Sequence, residues 1–203
     1  MSEAYTPGMS AAEFFGQKVV ELANQKAGQA TDAQKAVTHT IAIEIPEAGA
    51  WSYTLSGGQV EVAEGIAEGA NPVFSIAEQT WRDAMEGLNE VIGDALDIER
   101  MLAVDISGVD PELLQLLDGI QGTLQLHVTD ADDTKITVRF GGGPAEPTCT
   151  MKLAPDTAQA IATGKLQAPA AFMAGQIMIE GDMNLPMQLA GLIPRLMEAA
   201  KNM

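Results

Sequence analysis

The chain has 203 residues, of which 46% are hydrophobic and 19% charged, a composition that can bury the core of one large domain or two small ones. Its net charge of −17, with 11 Lys and Arg against 28 Asp and Glu, excludes the cationic surface that a phosphate backbone requires, and a 4% aromatic content leaves few platforms for base stacking. The single cysteine excludes an intrachain disulfide and any CxxC motif, and neither a secretion signal nor a run of ~18 apolar residues is present, so a soluble, cytoplasmic protein without stable membrane insertion is expected.

Ser10, with Glu13 three residues on, predicts the start of a helix that runs to about Lys26 with Phe14, Phe15, Val19, Val20 and Leu22 as its apolar positions. The polar stretch from Gly28 to Gln34 reads as a loop. From Thr38 the period becomes two. His39, Ile41, Ile43 and Ile45 predict a half-buried strand, and Trp51, Tyr53 and Leu55 a second. After the Ser56-Gly57-Gly58 turn, Val60 and Val62 complete an antiparallel hairpin. A short strand from Pro72 to Ile76 precedes a helix from Glu78 to Leu88 with Trp81, Met85 and Leu88 on one face.

The second half follows the same logic. Asp110 and Pro111 open a helix reaching Ile120, strands alternate through Leu124, Leu126 and Val128 and through Ile136, Val138 and Phe140, and the acidic turn from Asp130 to Asp133 joins them. A glycine-rich loop, Gly141 to Pro144, leads to a strand with Cys149, Met151 and Leu153, then to a helix from Pro155 to Thr163 capped by Gly164. Phe74-Ser75-Ile76-Ala77 with its helix ending at Gly87 matches Met151-Lys152-Leu153-Ala154 with its helix ending at Gly164, and Ala103 to Gly108 matches Gln176 to Gly181. This repeat predicts two α+β units, residues 1–109 and 110–203, with the helix at 110–120 shared. The second copy lacks a counterpart of the strand Gln59 to Glu64 unless the glycine-rich loop replaces it.

Gly164-Lys165-Leu166, Phe172-Met173, Gln176 to Ile179 and Gly181-Asp182-Met183, followed by an apolar helix, resemble in order the C-terminal part of the sterol carrier protein 2 family. Ala50 to Leu55 with the following Gly-Gly hairpin is similar to the family's central strands. The resemblance implies a divergent tandem duplication of an antiparallel-rich five-stranded sheet covered by helices, enclosing an apolar cavity for a sterol, a fatty acid or another hydrophobic small molecule. Phe172, Met173, Ile177, Ile179, Met183, Met187, Leu189 and Leu192 are the expected lining, with Trp81 and Met85 in the first copy, where Asp94 to Arg100 is charged and departs from the pattern. Methionines at 173, 178, 183, 187 and 197 would adapt to ligands of varied shape. Pro186, Gly191 and Pro194 predict a short, kinked or frayed final helix, either a lid or a packed terminus.

Catalytic patterns are scarce. Both histidines, His39 and His127, are assigned to the apolar phase of strands, where a core imidazole is expected rather than a general base. No GxSxG or Walker motif occurs, the acidic run at Asp130, Asp132 and Asp133 lacks the rest of an EF-hand, and Cys149 has no activating neighbour, so neither a metal nor another cofactor is expected. A lipid carrier is therefore the leading expectation, ahead of an accessory module that presents a hydrophobic substrate to a partner enzyme and of an enzyme using His39 or His127.

Overall fold

A computed structural model describes residues 5–25, 30–87, 111–129 and 133–201. The first helical run, α1, is α-helical over Ala11–Glu13, π-helical over Phe14–Lys18 and α-helical again over Val19–Gln25. Its capping box forms as the sequence predicts: the Ser10 hydroxyl accepts from the Glu13 N–H at 3.2 Å, and the Ser10 N–H donates to the Glu13 carboxylate at 3.0 Å. The predicted loop that follows holds a further short helix, α2 (Asp32–Lys35). Thr31 and Gln34 form a second capping box there, a pattern hidden among residues chosen for polarity alone.

Eight strands follow among the described residues: β1 (His39–Ile45), β2 (Gly49–Ser56), β3 (Gln59–Glu64), β4 (Val73–Ile76), β5 (Gly122–Val128), β6 (Lys135–Phe140), β7 (Cys149–Leu153) and β8 (Ile177–Gly181). The helices between and after them are α3 (Glu78–Met85), α4 (Pro111–Asp118), α5 (Pro155–Ala162), α6 (Ala168–Met173) and α7 (Asn184–Lys201). The final helix is one run of 18 residues, so the expectation of a short helix is corrected. Pro186 falls in its first turn, where a missing N–H costs no intrahelical bond. The predicted counterparts at Asp94 to Arg100 and Ala103 to Gly108 lie outside the described residues.

The strands form one sheet in the order β3-β2-β1-β4-β6-β5-β7-β8. Each half therefore contributes four described strands to a shared sheet; the fifth strand expected of the first half, Ala103 to Gly108, lies outside the described residues. The local connectivity recurs. β1 pairs antiparallel with β2 and parallel with β4; β5 pairs antiparallel with β6 and parallel with β7. The following helices, α3 and α5, are both eight residues long, both begin one residue after an extended alanine (Ala77, Ala154), and both end at a glycine with φ of 70° (Gly87, Gly164). Residues 141–148 form no strand, and the free edge of β6 pairs instead with β4, Val73 opposite Arg139 through Ile76 opposite Ile136. Each edge thus satisfies the other's unpaired backbone groups, which would otherwise be a template for association.

Pairing register and the two-residue period put the large apolar strand residues, Val73 and Met178 excepted, on one face. Ile43, Trp51, Phe74, Val138, Leu126, Met151 and Ile179 lie on it; Glu44, Ser75, Thr137, Gln125, Lys152 and Glu180 lie on the other. The apolar face is covered by helices. In the first half α1 and α3 pack on it through Phe14, Phe15, Val19, Trp81 and Met85. The halves are joined at the seam by Asn71, whose side-chain amide donates to Leu117 O at 3.2 Å and to the Asp118 carboxylate at 3.1 Å, while its oxygen accepts from Gly141 N–H at 3.1 Å. The end of α4 is fixed to the first half in this way, although its Leu113 and Leu117 pack in the second.

Candidate functional site

In the second half the apolar face is covered by two separate groups of side chains. One wall combines α4 and α7 over Phe140 and Cys149, with Leu113, Leu117, Leu185 and Leu192 buried. The other combines α5 and α6 over Val128, Leu153 and Ile177, with Ala158 and Ala171 buried. Met151 and Ile179, in the middle of β7 and β8, pack against both walls and are buried by neither. Leu124, Leu126 and Val138 are likewise only half-buried although they sit on the helix-covered face. These five half-buried residues mark the floor of a candidate apolar cleft between the two walls.

Local sequence explains the shape. The α6 helix is a single short piece that starts at Ala168-Pro169, so proline occupies the first turn, and it buries only Ala171. Small residues at 158, 168 and 171 pack α5 and α6 on the sheet at β7 and β8. At the end of β8 the chain turns through Gly181, with φ of 91° and a position where a Cβ would stand 2.3 Å from Thr148 O. Only glycine fits there, which accounts for the first residue of the Gly181-Asp182-Met183 turn and sets where α7 begins. Asp182 N–H donates to Thr148 O at 2.9 Å and Asn184 N–H to the Asp182 carboxylate at 2.8 Å.

The residues expected to line a cavity separate into three groups. Ile177 and Leu192 are buried and Ile179 and Leu189 half-buried, all at the cleft or in its walls. Phe172 and Met183 are exposed, and Met173 and Met187 expose 87% and 70% of their surface. Trp81 and Met85 lie in the core of the first half. Sequence reasoning did not single out Leu124, Leu126, Val138 or Met151 as site residues, although their alternation was the available signal.

The described part of the first half is packed with aromatic side chains, although Ile41 and Phe74 on its apolar face are half-buried as well. Trp81 is fully buried and packs on Tyr5, Phe14 and Phe15 with ring centroids 5.9, 5.7 and 5.3 Å away, and Phe15 stacks on Trp51 at 5.4 Å. The Tyr53 hydroxyl donates to Phe15 O at 2.7 Å, and burial pushes its pKa well up. A depression of ≈ 300 Å³ opens beside α1, but Glu13, Gln17 and Glu64 on its rim make it a poor lodging for a hydrocarbon.

His127 corrects its assignment: register puts it on the polar face beside Lys135 and Lys152, because Leu126 and Val128 hold the apolar phase. Its Nε2 lies 2.5 Å from Asp133, which also pairs with Lys135; these two partners, Lys135 first, hold the Asp133 carboxyl below the usual range. His39 does face the apolar side, with Nδ1 3.8 Å from the carboxylate of Asp118 at the end of α4 and Nε2 without a partner; one strand, β4, separates β1 from β6. Cys149 is buried at the cleft's edge, and desolvation, then the Asp182 charge, raises its thiol pKa. The candidate cleft offers dispersion contacts and hydrophobic burial.

Among the described residues no helix is long and apolar enough to cross a membrane. Residues 99–194 match the model of the SCP-2 sterol transfer family. Similar solved structures include sterol carrier protein 2 like 2 from Aedes aegypti, 21% identical over 52% of this chain and 99% of that one with a TM-score of 0.40. A palmitated form of the Aedes aegypti protein is 23% identical over 51% and 92% (TM-score 0.36), and apo sterol carrier protein 2 from Yarrowia lipolytica is 16% identical over 57% and 91% (TM-score 0.33). No curated protein sequence matches the chain.

Proposed function

We propose, because residues 99–194 match the model of the SCP-2 sterol transfer family, that this protein is a carrier of lipid-class ligands, sterols or fatty acyl chains, and holds them without chemical change in the cleft of its second half. The observation that carries this reading is the half-buried apolar floor, Leu124, Leu126, Val138, Met151 and Ile179, flanked by two walls that pack separately. A ligand laid on that floor would remove apolar surface from water at about 25 cal/mol per Å², and Met151 can adjust its rotamers to different shapes.

In this reading Ile177, Ile179, Leu189 and Leu192 contribute to the lining. Phe172, Met173, Met183 and Met187 form its outer rim, where their exposure lets a ligand pass. Trp81 and Met85 are support for the sheet. The cytoplasm is the proposed location, where the lone thiol of Cys149 would stay reduced.

Native mass spectrometry of freshly purified protein, followed by organic extraction, tests the proposal. The expected result is a lipid at about one per chain, or uptake of palmitate or cholesterol by the delipidated protein. Protein that is empty as isolated and takes up neither probe would refute it.

A further inference from the structure

The recurrence of connectivity allows the two halves to be compared position by position. Strand register makes Ile43 correspond to Leu126, Trp51 to Ile136, Tyr53 to Val138 and Phe74 to Met151. The helices after β4 and β7 start at the same offset, so their fourth residues, Trp81 and Ala158, correspond; the N–H of each donates to the extended alanine before its helix at 3.0 Å. Three aromatic side chains of the first half thus meet an isoleucine, a valine and an alanine in the second. Phe140, in the place of Leu55, reverses the trend only at the end of its strand.

The largest change is Trp81 to Ala158. An aromatic side chain of this size buries roughly 150–250 Å². Trp81 does so in the middle of the first-half core, 0% exposed, and its indole N–H makes no hydrogen bond, so what it supplies there is volume. Ala158, 7% exposed on the wall beside Met151 and Ile179, offers a single methyl group where Trp81 offers an indole.

We infer that the chain contains one open apolar site and one plugged counterpart: Ala158 keeps the second-half cleft open and sets the bulk of ligand it admits, while Trp81 fills the equivalent space in the first half. The inference rests on the carrier reading and adds stoichiometry, location and a specificity-determining residue to it. The first half then serves as a rigid partner that closes the edge of β6, and each molecule takes one ligand.

The test measures palmitate binding to the delipidated full-length chain by native mass spectrometry and titration, for the natural protein and for Ala158→Trp, Ala158→Leu and Trp81→Ala. The natural protein is expected to take one palmitate, Ala158→Leu to weaken binding several-fold, and Ala158→Trp to weaken it tenfold or more. Trp81→Ala is expected to keep the original site and gain a second one for palmitate or a smaller apolar probe such as benzene. Both tryptophans of the chain, Trp51 and Trp81, lie in the first half, so palmitate should leave the emission maximum of the natural protein unchanged. Circular dichroism establishes that each variant is folded; Ala158→Leu and the fluorescence titration decide the matter if either larger change unfolds the chain. Two palmitates on the natural protein, a ligand-dependent tryptophan shift, or full affinity in folded Ala158→Leu and Ala158→Trp would overturn the inference while leaving the carrier reading intact. No uptake of palmitate or cholesterol by the natural protein would overturn both.

Discussion

Replacing Asn71 by alanine tests how the two halves are held together. Asn71 is 7% exposed and uses its side chain three times across the seam, as donor to Leu117 O and Asp118 and as acceptor from Gly141 N–H. The losses are unequal. Leu117 O also accepts from Ile120 N–H at 3.1 Å, and Asp118 is exposed enough to be rehydrated, so each of those bonds is worth about 0.5–1 kcal/mol net. The Gly141 N–H would be left unpaired in a part-buried position, at about 1–2 kcal/mol. The sum predicts a destabilisation of about 2–4 kcal/mol, read as a lower urea midpoint with an unchanged slope. A decrease below about 0.5 kcal/mol would refute the assignment of Asn71 as the joint, because an ordinary surface substitution does as much.

Tyr53→Phe leaves the Phe15 carbonyl without its 2.7 Å donor and is expected to cost about 1–3 kcal/mol in urea denaturation. The raised pKa of Tyr53 also sets a sign: its contribution is complete below the unfolded value near 10.0 and is lost as pH rises above it, so natural protein should lose stability above pH 10 more steeply than Tyr53→Phe. Cys149 is buried with a raised pKa, so labelling by a thiol reagent at pH 8 should be much slower than in urea; equal rates would contradict its placement against Leu185 and Leu192. Asp133 is held low by Lys135 and His127, and the stabilisation this gives is present above the unfolded value of 3.8 and lost as pH falls through the folded value, so Asp133→Asn should flatten the acid limb of the stability curve. Met187→Ser, at a position 70% exposed, should change stability by less than about 0.5 kcal/mol; a larger loss would mean that the side chain is core.

Local patterns were legible where a short-range rule produces them. The alternation of Ile41, Ile43 and Ile45 and of Leu124, Leu126 and Val128 marks strands because side chains on a pleated backbone point to opposite faces, and the Ser10-Glu13 pair marks a helix start because two backbone donors need acceptors there. The same rule, applied strictly, would have placed His127 on the polar face. The methionine-rich segment from 173 to 187 was harder to read, since methionine is compatible with core, cleft wall and surface alike, and its chemistry does not say which. Met173 and Met187 stand in solvent, whereas Met151, unremarkable in its strand, packs against both groups of helices over the second half.

What the sequence by itself determined was the series of elements, the order helix, strands and helix in each half, and the family resemblance of the segment from Gly164 onward, all properties of neighbouring residues. Only the tertiary structure decided that β4 pairs with β6 to make one sheet of eight strands, because edge pairing is a backbone interaction that any side chains of the right period allow. It also decided which apolar face is left partly uncovered. Whether Ala158 and Trp81 fill their surroundings depends on the volumes of side chains brought in from distant helices, and no local pattern encodes that sum.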